Sequence, residues 1–263
     1  MRSSSLCRGG VAGALCAAFV LSGSLSAWAA SEAAAKSPAQ VRWEQRVARG
    51  LRARPAFAFV EEDPALPRVL LIGDSISIGY TPAVRELLAG KANVLRIPEN
   101  AGPTTKGLER LKSWLGDGEW DVIHFNWGLH DLKRLIDGKK DVRGAWQVSP
   151  EDYERNLDKL VGRLKATGAK LIWAATTPVP EGAAGRIRGE AIEANAIAAK
   201  VMKKHRVPTN DLYAPVAPHL AKYQKPKDVH FTPEGSAFLA KHVAAAILKA
   251  LGDHDQGRQQ EAP

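Results

Sequence analysis

The chemistry legible in this chain starts with a hydroxyl at position 75. Four apolar residues, Val69, Leu70, Leu71 and Ile72, run into Gly73-Asp74-Ser75. Such a run reads as a short strand buried on both faces. A serine at the carboxyl end of a central strand sits where open α/β sheets bind ligands. A helix starting just after it would aim free N–H groups at an anion formed on that hydroxyl. To act as a nucleophile, Ser75 needs a base in hydrogen-bond reach and donors directed at the developing oxyanion. His230 is the candidate base. It lies in a loop between Pro226 and Pro233, with Asp228 two residues earlier to hold its imidazole. Singly, each feature has a plain structural role: a tight turn with a capping serine, and a capping or surface histidine.

Order along the chain changes that weighing. Gly73-Asp74-Ser75 follows the first strand and Asn100-Ala101-Gly102 the second; Gly128-Leu129-His130-Asp131 follows the third, and Asp228-Val229-His230 precedes the last helix. In this order the four blocks resemble the SGNH, or GDSL-type, hydrolase superfamily over residues 66–251. The resemblance implies that Ser75 is the nucleophile and that the Ser75 and Gly102 N–H groups bind the oxyanion. It also implies that Asp228 and His230 belong to the catalytic block, with no cofactor.

Two departures stand out. The third block is usually Gly-x-Asn-Asp, and here His130 replaces the asparagine. An imidazole N–H can donate as the amide does, at the cost of adding a titratable group. The last block is usually Asp-x-x-His, but Asp228 is one residue closer, and Lys227 at the usual position cannot accept from an imidazole. Two arrangements stay open: a triad through an altered loop, or a Ser75–His230 dyad.

Other polar residues near these blocks read both ways. Asn126 is a second candidate oxyanion donor or a strand-end structural residue. Trp127, which with Trp146 brackets a long loop, could stack on a sugar ring or pack in the core. Arg186 and Arg188 could meet an anionic substrate or simply lie exposed. His124 reads as a satisfied core histidine, and Asp131 as a loop brace. No spacing favours a metal site from His130, Asp131, Asp228 and His230, and none is expected.

The elements that must position these residues alternate. Strands are predicted at 69–72, 93–97, 121–126, 170–175 and, shortest, 207–212. Helices are predicted at 81–90, opened by Thr81-Pro82, and at 106–115, 150–166, 189–205 and 233–251, with Ser149 capping the third of them ahead of Pro150. This alternation predicts an α/β class fold, a three-layer α/β/α sandwich around a central parallel sheet of about five strands. The resemblance implies its flavodoxin-like, SGNH hydrolase form. Residues 132–149 are polar and glycine-containing, long enough for a functional excursion.

The ends read differently. Arg2 and Arg8, an apolar run over 11–20, and Ala27-Trp28-Ala29 predict an export signal over residues 1–29. Leu15 is too large for the residue before a lipidated Cys16. Both cysteines, Cys7 and Cys16, lie in that signal, so the mature chain would hold neither a disulfide nor a thiol nucleophile. Residues 30–65 are expected to be a linker with a short helix over 41–54, and 252–263 a disordered tail.

Among 263 residues the net charge is +9, which favours anionic polymers or envelope material. The cations are dispersed, and Lys203-Lys204-His205-Arg206 reads as a helix terminus, so no nucleic-acid partner is expected. The reading is an exported serine carboxylester hydrolase, periplasmic or secreted, that removes O-acetyl or other short acyl groups from a small-molecule or polysaccharide ester. No membrane insertion is expected once the signal is cleaved. Its rivals are a lysophospholipase or thioesterase acting on longer acyl chains, and a glycan-binding module without turnover. Neither natural substrate nor oligomeric state is written in the sequence.

Overall fold

The computed structural model describes residues 35–260. The expected export signal lies outside the described residues. The sheet carries β1 (Arg68–Ile72), β2 (Asn93–Arg96), β3 (Val122–Phe125), β7 (Lys170–Ala174) and β8 (Thr209–Asn210), in the order β2-β1-β3-β7-β8. Every pairing is parallel, with Ile72 beside Phe125 and Leu71 beside Arg96. Because parallel strands need crossovers, each connection carries a helix, and both faces are covered. On one face α2 (Ser75–Leu87) packs against α7 (Pro233–Gln260). Elsewhere α3 (Thr104–Leu115), α4 (Pro150–Lys165) and α5 (Glu190–His205) pack in succession, α4 also on β7. Val69 to Ile72 and Val122 to Phe125 are all buried, which is why those runs, His124 apart, are apolar without alternation. This is the flavodoxin-like order, and it turns the ends of β1 and β3 toward one crevice.

The structure moves several predicted boundaries. Helix α2 begins at Ser75, not Thr81, because the Asp74 side chain caps it by accepting from the Ile76 N–H at 2.9 Å. Pro82 therefore lies inside the helix, where its missing N–H leaves the Ile78 carbonyl without its helical donor. The N-terminal helix α1 spans Pro38–Arg46, displaced toward the N-terminus by the Ser37 cap and Pro38. Val47 then leaves the helix to bury itself with Ala56, Phe57 and Ile78, so this stretch is packed onto α2 and is no linker. Helix α7 continues to Gln260, into the stretch expected to be a disordered tail. No proline interrupts it there, and two glycines in a polar run cost only about 1 kcal/mol each.

The excursion after β3 is a small antiparallel sheet that the sequence reading lacks. It comprises β4 (Arg134–Ile136), β5 (Lys139–Lys140) and β6 (Ala145–Trp146), ordered β5-β4-β6. Asp137 and Gly138 both take positive φ, the backbone of a two-residue hairpin turn. A short helix, α6 (Leu220–Tyr223), precedes the loop that carries His230.

Candidate active site

Gly73 is required by crowding. A Cβ at that position would lie 2.6 Å from the Ser77 Cβ, so any larger residue would push α2 off the strand end. Ser75 is then the first residue of α2, and among the described residues its N–H meets no protein acceptor.

The loop over 224–232 delivers the base. Gln224 is buried, and its Nε2 donates to the Pro178 and Val229 carbonyls at 2.8 and 3.0 Å. Val229 and Phe231 are buried on either side of His230, while the Thr232 side chain accepts from the Gly235 N–H at the start of α7. Lys227 takes a left-handed backbone, φ 57°, and this bend brings the shortened Asp228 spacing back onto the ring. The outcome is a continuous relay. His230 Nε2 lies 2.8 Å from Ser75 Oγ, and His230 Nδ1 lies 2.7 Å from Asp228 Oδ1. Asp228 also accepts from the His230 backbone N–H at 3.2 Å. Burial opposes ionisation of Asp228, but the hydrogen bonds from His230 outweigh it and hold the carboxyl below the usual range.

Both helices entering this site touch closely. A Cβ on Gly79 of α2 would come 3.1 Å from the Ser236 Oγ of α7. The nucleophile opens the first helix and the base precedes the second, so their separation follows from how these helices pack.

The oxyanion side differs from the expectation. The Gly102 N–H donates to Asn100 Oδ1 at 2.8 Å in a local turn with φ 63°, and Gly102 does not line the pocket. Asn100 does line it, and among the described residues its Nδ2 meets no protein acceptor. His130 stands in the pocket with Ser75, its pKa lowered by burial, so the neutral imidazole prevails. Behind it, buried Asp131 accepts from the Thr104 N–H and hydroxyl at 2.8 and 2.5 Å, fixing the loop to the start of α3. Gly128 makes this loop possible, because a Cβ there would lie 2.2 Å from Thr176 Oγ1.

Neither Asn126 nor Trp127 lines the pocket over Ser75. Asn126 Nδ2 donates to the Ala174 carbonyl at 2.7 Å, tying β3 to β7. Trp127 is buried against Gly107, where an added Cβ would be 2.8 Å from the indole. His124 is a core residue, its Nε2 accepting from Asn210 Nδ2 at 3.1 Å, and burial pushes its pKa down to about 3.

The pocket above Ser75 has a volume of about 540 Å³. Lys133, Lys140, Arg186 and Lys227 line it, and of these only Arg186 reads from the sequence as a possible anion contact. The missed signal was the density of lysine in 132–149.

A sequence profile of the GDSL-like Lipase/Acylhydrolase family matches residues 71–238. The chain belongs to this family. It is an ester-bond hydrolase of the GDSL type. Among curated proteins no sequence matches significantly. Solved structures match in fold. The acetyl xylan esterase AlAXEase aligns with a TM-score of 0.58 at 15% identity, over 68% of this chain and 99% of that one. A lipase/acylhydrolase from Enterococcus faecalis aligns with a TM-score of 0.58 at 20% identity, over 69% and 95%. TesA aligns with a TM-score of 0.55 at 17% identity, over 70% and 99%. The GDSL block of the family falls on the strand end that carries Ser75. Among the described residues no helix is long and apolar enough to cross a membrane.

Proposed function

We propose that this GDSL hydrolase works outside the cytoplasm as a serine carboxylester hydrolase, releasing acetyl or similarly short acyl groups from a carbohydrate. The observation that carries the reading is the hydrogen-bonded chain Ser75 Oγ–His230–Asp228, at 2.8 and 2.7 Å. Ser75 Oγ attacks the acyl carbonyl as His230 Nε2 takes its proton, and Asp228 steadies the imidazolium. The tetrahedral oxyanion is met by the Ser75 N–H at the start of α2, with the His130 ring N–H and Asn100 Nδ2 as side-chain donors. His230 then protonates the departing alcohol. Water attacks the acyl-enzyme with His230 again as base, freeing the acid and restoring Ser75.

Acyl length follows from the lining. Leu129, Ala183, Ala184 and Val229 are its apolar members, too few to sheathe a long chain, while the rest are polar or charged. The resemblance in fold to an acetyl xylan esterase is consistent with a carbohydrate ester. Export rests on Arg2, Arg8, the apolar run and Ala27-Trp28-Ala29.

The test compares nitrophenyl acetate with nitrophenyl octanoate, in wild type and Ser75→Ala. The reading expects turnover of the acetate, lost in the variant. Preference for octanoate would transfer the protein to the lipolytic class. Absence of turnover, with no labelling by an active-site phosphonate, would leave only a binding role.

A further inference from the structure

We propose that the alcohol half of the ester carries a carboxylate or sulfate, held by a cationic wall formed by Lys133 and Lys140 with Arg186 and Lys227. The inference rests on the Ser75 site hydrolysing esters and adds the charge of what it hydrolyses.

Four cations line the pocket, against two carboxylates, Asp74 and Asp228. Both carboxylates are engaged, Asp74 in capping α2 and Asp228 in holding His230. Among the described residues none of Lys133, Lys140 and Lys227 forms a salt bridge, and Arg186 spends only its Nε, on the Leu129 carbonyl at 2.8 Å. Several basic side chains elsewhere find acids: Arg68 with Glu62, Lys106 and Arg110 with Glu99, Lys204 with Asp158. The cations at the pocket also repel one another. The Lys133 pKa is lowered by burial and then by Arg186 and Lys140, so these charges share one field. Asp74 and Asp228 offset the charge at Arg186 only in part, and the excess of like charge opposes folding until a bound anion relieves it.

The wall is braced from behind. Glu190, 9% exposed, accepts from Arg134 Nε and Nη2 at 2.8 and 2.6 Å and from Trp146 Nε1 at 2.9 Å. Its other oxygen accepts from the Ile187 N–H at 3.1 Å. One buried carboxylate therefore joins β4, β6 and the loop that carries Arg186. The Arg134 N–H donates to the Gly185 carbonyl at 2.7 Å, and a Cβ on Gly185 would lie 2.8 Å from the Lys140 Cβ. Lys227 rests over Gly182 in the same way, with a 3.1 Å approach. Lysines fixed on packed backbone lose less freedom on meeting an anion than lysines on a loose tail.

The experiment measures kcat/KM at low salt on acetylated methyl glucuronide, its neutral glucoside counterpart and a sulfated glucoside. Wild type should favour either anionic ester over the neutral one by about tenfold or more, with the advantage shrinking as salt rises. Paired Lys133→Gln and Lys140→Gln changes should bring that ratio toward one, and Lys140→Glu should push it below one. Lys140 is exposed, so its variants keep the fold, and a thermal melt verifies this. Equal rates on all three esters in wild type, or a ratio untouched by the substitutions, would overturn the inference. Either result leaves Ser75 chemistry standing, which fails only if nitrophenyl acetate and all three sugars go unhydrolysed.

Discussion

Two basic hollows flank the sheet, and they use their cations in opposite ways. The first is the lysine-lined pocket over Ser75. The second, about 330 Å³, lies by the edge strand β2 beneath α1 and is lined by Arg42, Arg46, Arg68, Arg85 and Arg96. In that hollow the guanidinium groups are mostly bound to protein. Arg85 donates to the Val94, Pro55 and Ala58 carbonyls, and Arg46 to the Ser113 carbonyl at 2.7 Å. Arg68 pairs with Glu62, reaches the Glu119 carbonyl and stacks on Trp120. Arg96, 2% exposed, stacks on Phe57 at 4.6 Å, and among the described residues its Nε and Nη1 find no hydrogen-bond partner. A planar fork of donors suits carbonyls and rings, and so fastens the N-terminal segment to the domain. A compact ammonium at the pocket mouth has no such partners and stays available for a ligand. Charge alone therefore does not mark a binding site; what the charge already touches does.

Several measurements would break or sharpen this contrast. The largest effect belongs to Ser75→Ala, expected to cut kcat on nitrophenyl acetate by about 10⁴-fold or more. Retained turnover would mean that the lysine pocket is not where esters are cut. Next, His130→Ala should lower kcat by about 10²–10³-fold with KM little changed, whereas His130→Asn, which restores an amide donor, should recover most of the loss. An alanine variant as fast as wild type would remove His130 from the oxyanion site. On the arginine side, Arg85→Met should destabilise the fold by about 1–3 kcal/mol in a denaturant melt while kcat/KM holds. A loss of activity without a loss of stability would reverse the roles assigned to the two hollows.

A further effect, on stability rather than turnover, concerns pH and sits in the core. Burial pushes the Asp131 carboxyl up to about 7, against the hydrogen bonds from Thr104, and pushes His124 down to about 3. Asp131 holds a proton in the native chain that the unfolded chain releases near 3.8, so its contribution to stability fades as pH rises toward 7. His124 refuses a proton that the unfolded chain accepts below 6.5, so its contribution fades as pH falls toward 3. From about pH 4 to 6.5 the slopes oppose one another, each about 1.4 kcal/mol per pH unit. Asp131→Asn should therefore unmask a stability that climbs with pH across that window. Parallel wild-type and variant curves would show that Asp131 titrates normally.

Much of the fold was legible because Val69 to Ile72 and, His124 apart, Val122 to Phe125 are apolar on both faces and alternate with helical segments, as strands of a covered parallel sheet do. Ser75 and His230 could be paired from block order alone. The reach of Asp228 could not, since it depends on a left-handed backbone at Lys227, a conformation that residue type does not advertise. The hold of the Asn100 side chain on the Gly102 N–H, a contact within three residues that competes with any ligand, was likewise not legible. Strands of two or three residues in 132–149 carry no period, so that sheet was invisible, and with it the lysine wall. Trp127 was offered as a sugar platform because of its neighbours in sequence, whereas its indole fills the space left by Gly107.

The contact of Gly79 with Ser236 gives the two helices the action of a caliper. Its jaws are Ser75 and His230, 155 positions apart in sequence, and its thumbwheel is a residue that never meets substrate. A methyl group at position 79 either turns the Ser236 hydroxyl aside or opens the jaws. In the second case proton transfer slows although every catalytic side chain is still present, so reactivity in this enzyme can be retuned from a helix seam.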